Sequence, residues 1–137
     1  MPACDKRTNP TAARPTIAVY YFPQWHVDPR NTAHYGHEWT EWKSVQMARP
    51  RFPGHEQPKV PVWGYEMEDV PKAMAKKIDA GADHSVDALV FDWYFNANGP
   101  HLNGALERGF LGVANSARLK FAAMRATHSP CCDLPSA

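Results

Sequence analysis

Residues 86–95 read Val-Asp-Ala-Leu-Val-Phe-Asp-Trp-Tyr-Phe, a short apolar run that stops at a carboxylate and three aromatics. Its core, Ala88-Leu89-Val90-Phe91, lacks polar alternation, which predicts a parallel strand covered on both faces. A chain with such a strand near its middle has to build layers against it. Asp92 breaks the apolar pattern. In a βα architecture the carboxyl ends of the strands carry the ligand site, so Asp92 followed by Trp93 and Tyr94 marks where a polar, ring-shaped substrate would be held. The same residues also fit an Asp that caps the next turn beside aromatics that simply pack.

A chain of 137 residues is expected to form one domain with a real core. It is too short for a whole α/β barrel, which takes about 250 residues. The formal net charge of +1 with 21% charged residues provides no basic stripe and excludes a nucleic-acid partner. No apolar window approaches the ~20 residues of a membrane span. The start, Met1-Pro2-Ala3-Cys4-Asp5-Lys6-Arg7, has no apolar segment behind its basic residues, so the expected location is cytoplasmic. Cys4 and the vicinal pair Cys131-Cys132 form no disulfide framework and read as free thiols.

Residues 1–15, rich in Pro, Thr, Asn and basic residues, predict a flexible leader. Thr16-Ile17-Ala18-Val19-Tyr20-Tyr21-Phe22, bounded by Pro15 and Pro23, predicts the first strand. Residues 27–66 hold many prolines and aromatics without a sustained period and predict a long ordered loop, with a short helix over 38–45 on which Glu38 and Glu41 share a face. Asp69 is a good N-cap with Pro71 behind it. Val70, Ala73, Met74, Ile78 and Ala82 then recur at helical spacing, predicting a helix over 70–83. Gly81 inside it should cost about 1 kcal/mol relative to Ala. After the central strand, residues 96–100 predict a turn and 102–111 a weaker helix containing Gly104 and Gly109. Residues 119–124 predict a third strand, ending near Thr127-His128. This order implies successive βαβ units and a parallel sheet.

All three strands end in polar or aromatic residues: Gln24-Trp25-His26, Asp92-Trp93-Tyr94 and His128. Aromatic faces with nearby carboxylates suit carbohydrate, because sugar rings lay C–H faces on Trp and Tyr while their hydroxyls need acceptors. Asp92 and Glu41 are candidates for the carboxylates of glycosidic bond cleavage, but fit sugar-hydroxyl binding better, and a structural cap or loop hydrogen bond is the plain alternative. Trp39, Trp42 and Trp63 fit either a stacking platform or loop anchors. His34-x-x-His37 has ligand-like spacing but sits in a Pro-rich loop without an HExxH motif, so no metal is expected. No Gly-rich phosphate loop follows a strand, and no cofactor is expected.

Several separated motifs, in order, resemble one family. They are Tyr21-Phe22-Pro23-Gln24-Trp25-His26, Trp39-Thr40-Glu41-Trp42, Ala48-Arg49-Pro50-Arg51-Phe52-Pro53-Gly54-His55-x-Gln57-Pro58, Asp83-His84-x-Val86-Asp87-Ala88 and Phe91-Asp92-Trp93-Tyr94. They look like the start of glycoside hydrolase family 99-like proteins of the WbsX type, over residues 16–128. The resemblance implies the N-terminal part of a (β/α)8 TIM-type barrel acting on glycans, as a glycosidase or in polysaccharide and O-antigen assembly. It implies that the catalytic carboxylate pair lies on later strands, leaving Tyr21, Gln24, Trp25, His26, Glu41, Trp42, Asp92, Trp93, Tyr94 and His128 in substrate-binding roles. Ser85 stands where the family usually has Gly, Arg125 where it has Trp and Thr127 where it has Asn. Residues 129–137 leave the family pattern and predict an unstructured tail.

The expected protein is thus α/β, with parallel strands, an incomplete barrel and a glycan partner. Such a fragment is expected to be inactive alone and to self-associate through exposed sheet edges. The alternative is a non-catalytic carbohydrate-binding module.

Overall fold

The computed structural model describes residues 14–96 and 99–125. His128, the tail 129–137, residues 1–13 of the leader and all three cysteines lie outside them. The elements are β1 (Ala18–Tyr21), α1 (Pro29–Tyr35), α2 (Glu41–Met47), α3 (Pro71–Asp83), β2 (Ala88–Asn96), β3 (Gly99–His101), a π-helical turn (Ala105–Phe110), a 3-10 turn (Ser116–Arg118) and β4 (Lys120–Arg125).

β2 is the centre of the sheet. β1 and β4 flank it in parallel, with Tyr21 opposite Phe91 and Met124 opposite Asp92, while β3 folds back against its C-terminal end in antiparallel register. Asp87 ties the three parallel strands at their start. Its backbone N–H donates to the Ile17 carbonyl at 2.8 Å, its carbonyl accepts from Lys120 N–H at 2.9 Å, and its carboxylate accepts from Ile17 N–H at 2.8 Å and from the Arg14 guanidinium. The Ile17 N–H and then Arg14 hold its carboxyl below the usual range.

The core lies on one face of this sheet. Odd-numbered Leu89 and Phe91 of β2 pack with Met74 and Ile78 of α3 and with Ala105, Leu106 and Phe110 of the π-helical turn, joined by Val19 and Tyr21 of β1. The even-numbered face is largely open: Tyr20 is 79% exposed, Phe22 45% and Met124 40%, while Tyr94 at the end of β2 is buried. This corrects the expectation that β2 is covered on both faces. An apolar run without alternation records what a strand can bury, not what it does bury in these residues.

Other expectations change in detail. The stretch 27–66 is not all loop. Asp28 caps α1 by accepting from Arg30 N–H at 2.9 Å, with Pro29 opening the helix. α2 starts at Glu41, and Glu38 stands outside it at φ 55°, so the two acids do not share a helical face. Val70 rather than Asp69 occupies the N-cap of α3, because the Asp69 carboxylate is held by Arg108 at 2.8 Å. Val70 itself is exposed. Of the predicted 96–100 turn, Asn96 pairs with Gly99 and Phe95 with Pro100 in the β2–β3 ladder, and residues 97–98 lie outside the described residues.

The predicted 102–111 helix is a π-type turn, with Leu111 N–H reaching the Leu106 carbonyl at 2.8 Å. Gly109 is needed within it, since a Cβ there would collide with the Glu68 carbonyl. α3 ends in a Schellman arrangement. Val86 N–H donates to Gly81 O at 3.0 Å and Ser85 N–H to Ala82 O at 3.3 Å, with Ser85 left-handed at φ 69°. The Gly that the resemblance leads one to expect at Ser85 would relieve that conformation. On the far side of α3, Arg118 bridges Asp79 and Asp83 at 2.5 Å each, and Asn115 donates to Asp79 at 2.8 Å, pinning the 3-10 turn to the helix.

Candidate functional site at the strand ends

The parallel register delivers the exits of β1 and β2 to one rim. Phe22 follows Tyr21 beside Asp92, and its ring meets Tyr94 edge-on at 6.0 Å. Asp92 and Tyr94, two residues apart, share the even face, where the Tyr94 hydroxyl donates to the Asp92 carboxylate at 2.8 Å. Burial and then Asp92 push the Tyr94 phenol up, so it stays a donor. Trp93 points the other way along the strand and stacks on Phe95 at 5.3 Å. The exit of β4 beyond Arg125, including His128, lies outside the described residues.

Glu68 organises the β1 exit, and the sequence patterns did not mark it. It is 1% exposed. Its carboxylate accepts from the Tyr21 hydroxyl at 2.5 Å and from Trp25 N–H at 3.2 Å and pairs with Lys77 at 2.5 Å, while Glu68 N–H donates to Trp25 O at 3.1 Å. Burial and then Glu68 push the Tyr21 phenol up. Tyr21 is therefore engaged on the core face. Trp25, held by two backbone bonds, stacks on Trp42 at 4.0 Å and 30°. Trp42 in turn donates from its indole to Glu66 O at 3.0 Å and meets Tyr65 edge-on. A hollow of about 270 Å3 beside it is lined by Trp42, Trp63, Glu66 and Lys77. Trp39 stacks on Tyr35 instead, at 4.6 Å. Gln24 and Glu41 are half-buried.

His26 turns away from the Trp25–Trp42 stack into a second, polar cleft of about 300 Å3, shared with Asp28, Arg30, Asn103, Gly104 and Arg108. The imidazole is 1% exposed, and neither ring nitrogen has a hydrogen-bond partner among the described residues. Burial lowers its proton affinity, more than the carboxylates of Asp69, Glu68 and Asp28 raise it. Asp28 spans the cleft wall: beyond Arg30 N–H it accepts from Leu102 N–H at 2.9 Å and stands 3.6 Å from the His101 ring. His101 also meets Asn31 Oδ1 at 3.1 Å and lies 6.0 Å from the Tyr94 ring, linking this cleft to the β2 exit.

Asp28-Pro29 was a readable cap signal. His101 and Arg108 carried no local signal, because they come from segments distant from His26 in the chain, and Arg30, two residues after Asp28, belongs to no motif that marks it. His34 packs on Tyr35 and His37 stands beside Glu38, and no cluster of three or more metal-ligating side chains occurs among the described residues. No helix among the described residues is long and apolar enough to cross a membrane.

Residues 16–128 match the family described as Glycosyltransferase WbsX. The chain belongs to this family. Two curated relatives of this WbsX-family chain, both named "Uncharacterized protein WxcX" and from two strains of Xanthomonas campestris pv. campestris, are 32% identical to it over 83 residues. The matched region is 60% of this chain and spans 12% of the length of each relative. No solved structure matches the WbsX-family chain.

Proposed function

We propose that residues 16–128 form the opening part of a (β/α)8 barrel whose C-terminal rim binds a glycan during polysaccharide assembly or processing. The observation that carries this reading is the one-sided sheet. α3 and the π-helical turn both lie on the face of Leu89 and Phe91. The opposite face, which carries the rim residues Phe22, Asp92 and Tyr94, has no helix on it among the described residues and leaves Tyr20, Phe22 and Met124 exposed, with Tyr94 buried at the rim. A doubly wound sheet takes helices on both faces, whereas a barrel keeps them outside and fills its interior from the other. In a barrel the C-terminal rim is where substrate sits.

In this reading Trp25 and Trp42 stack on sugar faces, Trp93 and Gln24 border the site, and Asp92, oriented by Tyr94, accepts sugar hydroxyls. Glu41 and His128 take similar binding roles. The carboxylate pair implied by the family 99 resemblance belongs to later strands of such a barrel, so neither Asp92 nor Glu41 is assigned the bond-breaking step. The family description favours glycosyl transfer over hydrolysis.

Asp92→Asn tests the assignment. Asn keeps an acceptor for the Tyr94 hydroxyl, so the thermal midpoint should hold, while loss of the charged acceptor should weaken oligosaccharide binding roughly tenfold. Calorimetric titration of a glycan panel into both proteins measures this. Unchanged affinity, or an equal loss of stability, would make Asp92 a structural residue.

A further inference from the structure

We propose that the polar cleft beside the β1 exit binds an anionic group, a carboxylate or a phosphoryl, carried on the saccharide. This deepens the glycan reading above and rests on it only for the saccharide part.

Three observations point to the same ligand. The His26 imidazole is almost wholly buried yet both its ring nitrogens lack partners, and Arg30 Nη2 is likewise buried and unpartnered among the described residues. Buried polar groups normally find partners, and these line one cleft. The other charged side chains around them already have hydrogen-bond or ion-pair partners. The Asp28 carboxylate holds the Arg30 and Leu102 N–H groups and faces His101, Arg108 pairs with Asp69, and Glu68 pairs with Lys77. The Arg30 guanidinium makes no ion pair among the described residues. Unengaged guanidinium donors thus stand beside a bare imidazole in one cleft, with Asp28 balancing the Arg30 charge, and such a donor fork suits a planar or tetrahedral anion better than a neutral hydroxyl.

The third observation is Gly104. A Cβ there would sit 2.8 Å from His26 Nε2 and 2.5 Å from Arg108 Nη2. The missing side chain lets the imidazole and the guanidinium converge on one space. An anion seated there would accept from Arg30 and from His26, whose second nitrogen would gain a proton as the neighbouring charge raises its proton affinity.

The test uses calorimetry with inorganic phosphate, glucuronate and glucose at matched ionic strength, on the 137-residue chain and on Arg30→Gln. Phosphate or glucuronate should bind saturably and glucose should not, and Arg30→Gln should weaken the anion roughly tenfold or more. Whichever anion binds more tightly identifies the group. Because the Arg30 side chain has no hydrogen-bond or ion-pair partner among the described residues, its variant should fold as the parent does, with an unchanged circular dichroism spectrum as the control. As a second readout, either anion should protect Arg30 from phenylglyoxal, scored by mass spectrometry, and Gly104→Ala should remove that protection. Equal binding of glucose, an Arg30→Gln affinity equal to the parent's, or no saturable anion binding would overturn the proposal. Anion binding that survives while Asp92→Asn leaves glycan binding untouched would instead remove only the rim reading.

Discussion

The Glu68 carboxylate accepts from Tyr21 and Trp25 while Lys77 neutralises it, so one buried charge fixes both the aromatic exit of β1 and the approach to α3. Replacing it by Ala should destabilise the fold by about 2 to 4 kcal/mol, below the full penalty of a broken buried pair because Lys77 keeps some contact with water. Urea unfolding of Glu68→Ala checks this, and a loss within experimental error would mean that the triad is not structural. His26 has the opposite character, a buried group held neutral. Its folded proton affinity is lowered, so its contribution to stability is fully present above the unfolded imidazole pKa of about 6.5 and is lost as pH falls through that value. His101, also lowered by burial, adds to the same slope. Stability measured by urea at about pH 7 and about pH 5 should therefore fall more steeply in the parent than in His26→Gln. Parallel slopes would show that the imidazole is not desolvated in solution.

Among the elements, α3 and its exit show how a local rule is overridden. Periodicity correctly places Ala73, Met74 and Ile78 toward the core, but the cap expected from Asp69 is given up to Arg108. At the other end the Schellman hydrogen bonds force Ser85 to φ 69°, a conformation that costs an L-residue more than Gly. Ser85→Gly should therefore raise stability by about 0.5 to 1 kcal/mol, the relief being partly offset by a more flexible unfolded chain. A thermal melt that does not rise would argue that the turn is unstrained. The π-helical turn depends on Gly109 in the same local sense, because only a bare Cα lets it approach the Glu68 carbonyl.

For the molecule as a whole the decisive feature is the largely open even face. β1 and β4 each pair only with β2 among the described strands, and Tyr20, Phe22 and Met124 stay wet. At about 25 cal/mol per Å2, leaving several large side chains exposed forfeits a few kcal/mol, a large part of a domain's usual margin. The 137-residue chain on its own should therefore self-associate or bind a hydrophobic dye, and should turn over no glycan. Light scattering and dye fluorescence test the first expectation. A soluble monomer with a sharp cooperative melt and measurable glycosyl transfer or hydrolysis would overturn both.

The strand sequence 16–22, the helix from about 70 to 83, the central strand and the strand near 120 were legible because each depends on neighbours within a few residues: a β-branched run, a 3.6-residue period, a flanking proline. The parallel pairing followed from their order. What periodicity could not reach are contacts between distant segments, such as Tyr21 with Glu68, 47 residues apart, or Asp28 with the Leu102 N–H, 74 residues apart. Apolar composition likewise could not say which face of β2 would be covered, since Val90 is as apolar as Leu89 and Phe91 and only the packing of α3 and the π-helical turn chose between them. The sequence by itself determined the parallel strands, the helix before the central strand, their order and the aromatic and acidic character of the strand ends. Tertiary structure alone decided the one-sided core, the Glu68 anchor and the His26–Arg30 cleft, because those arise where packing brings together groups with no local reason to meet.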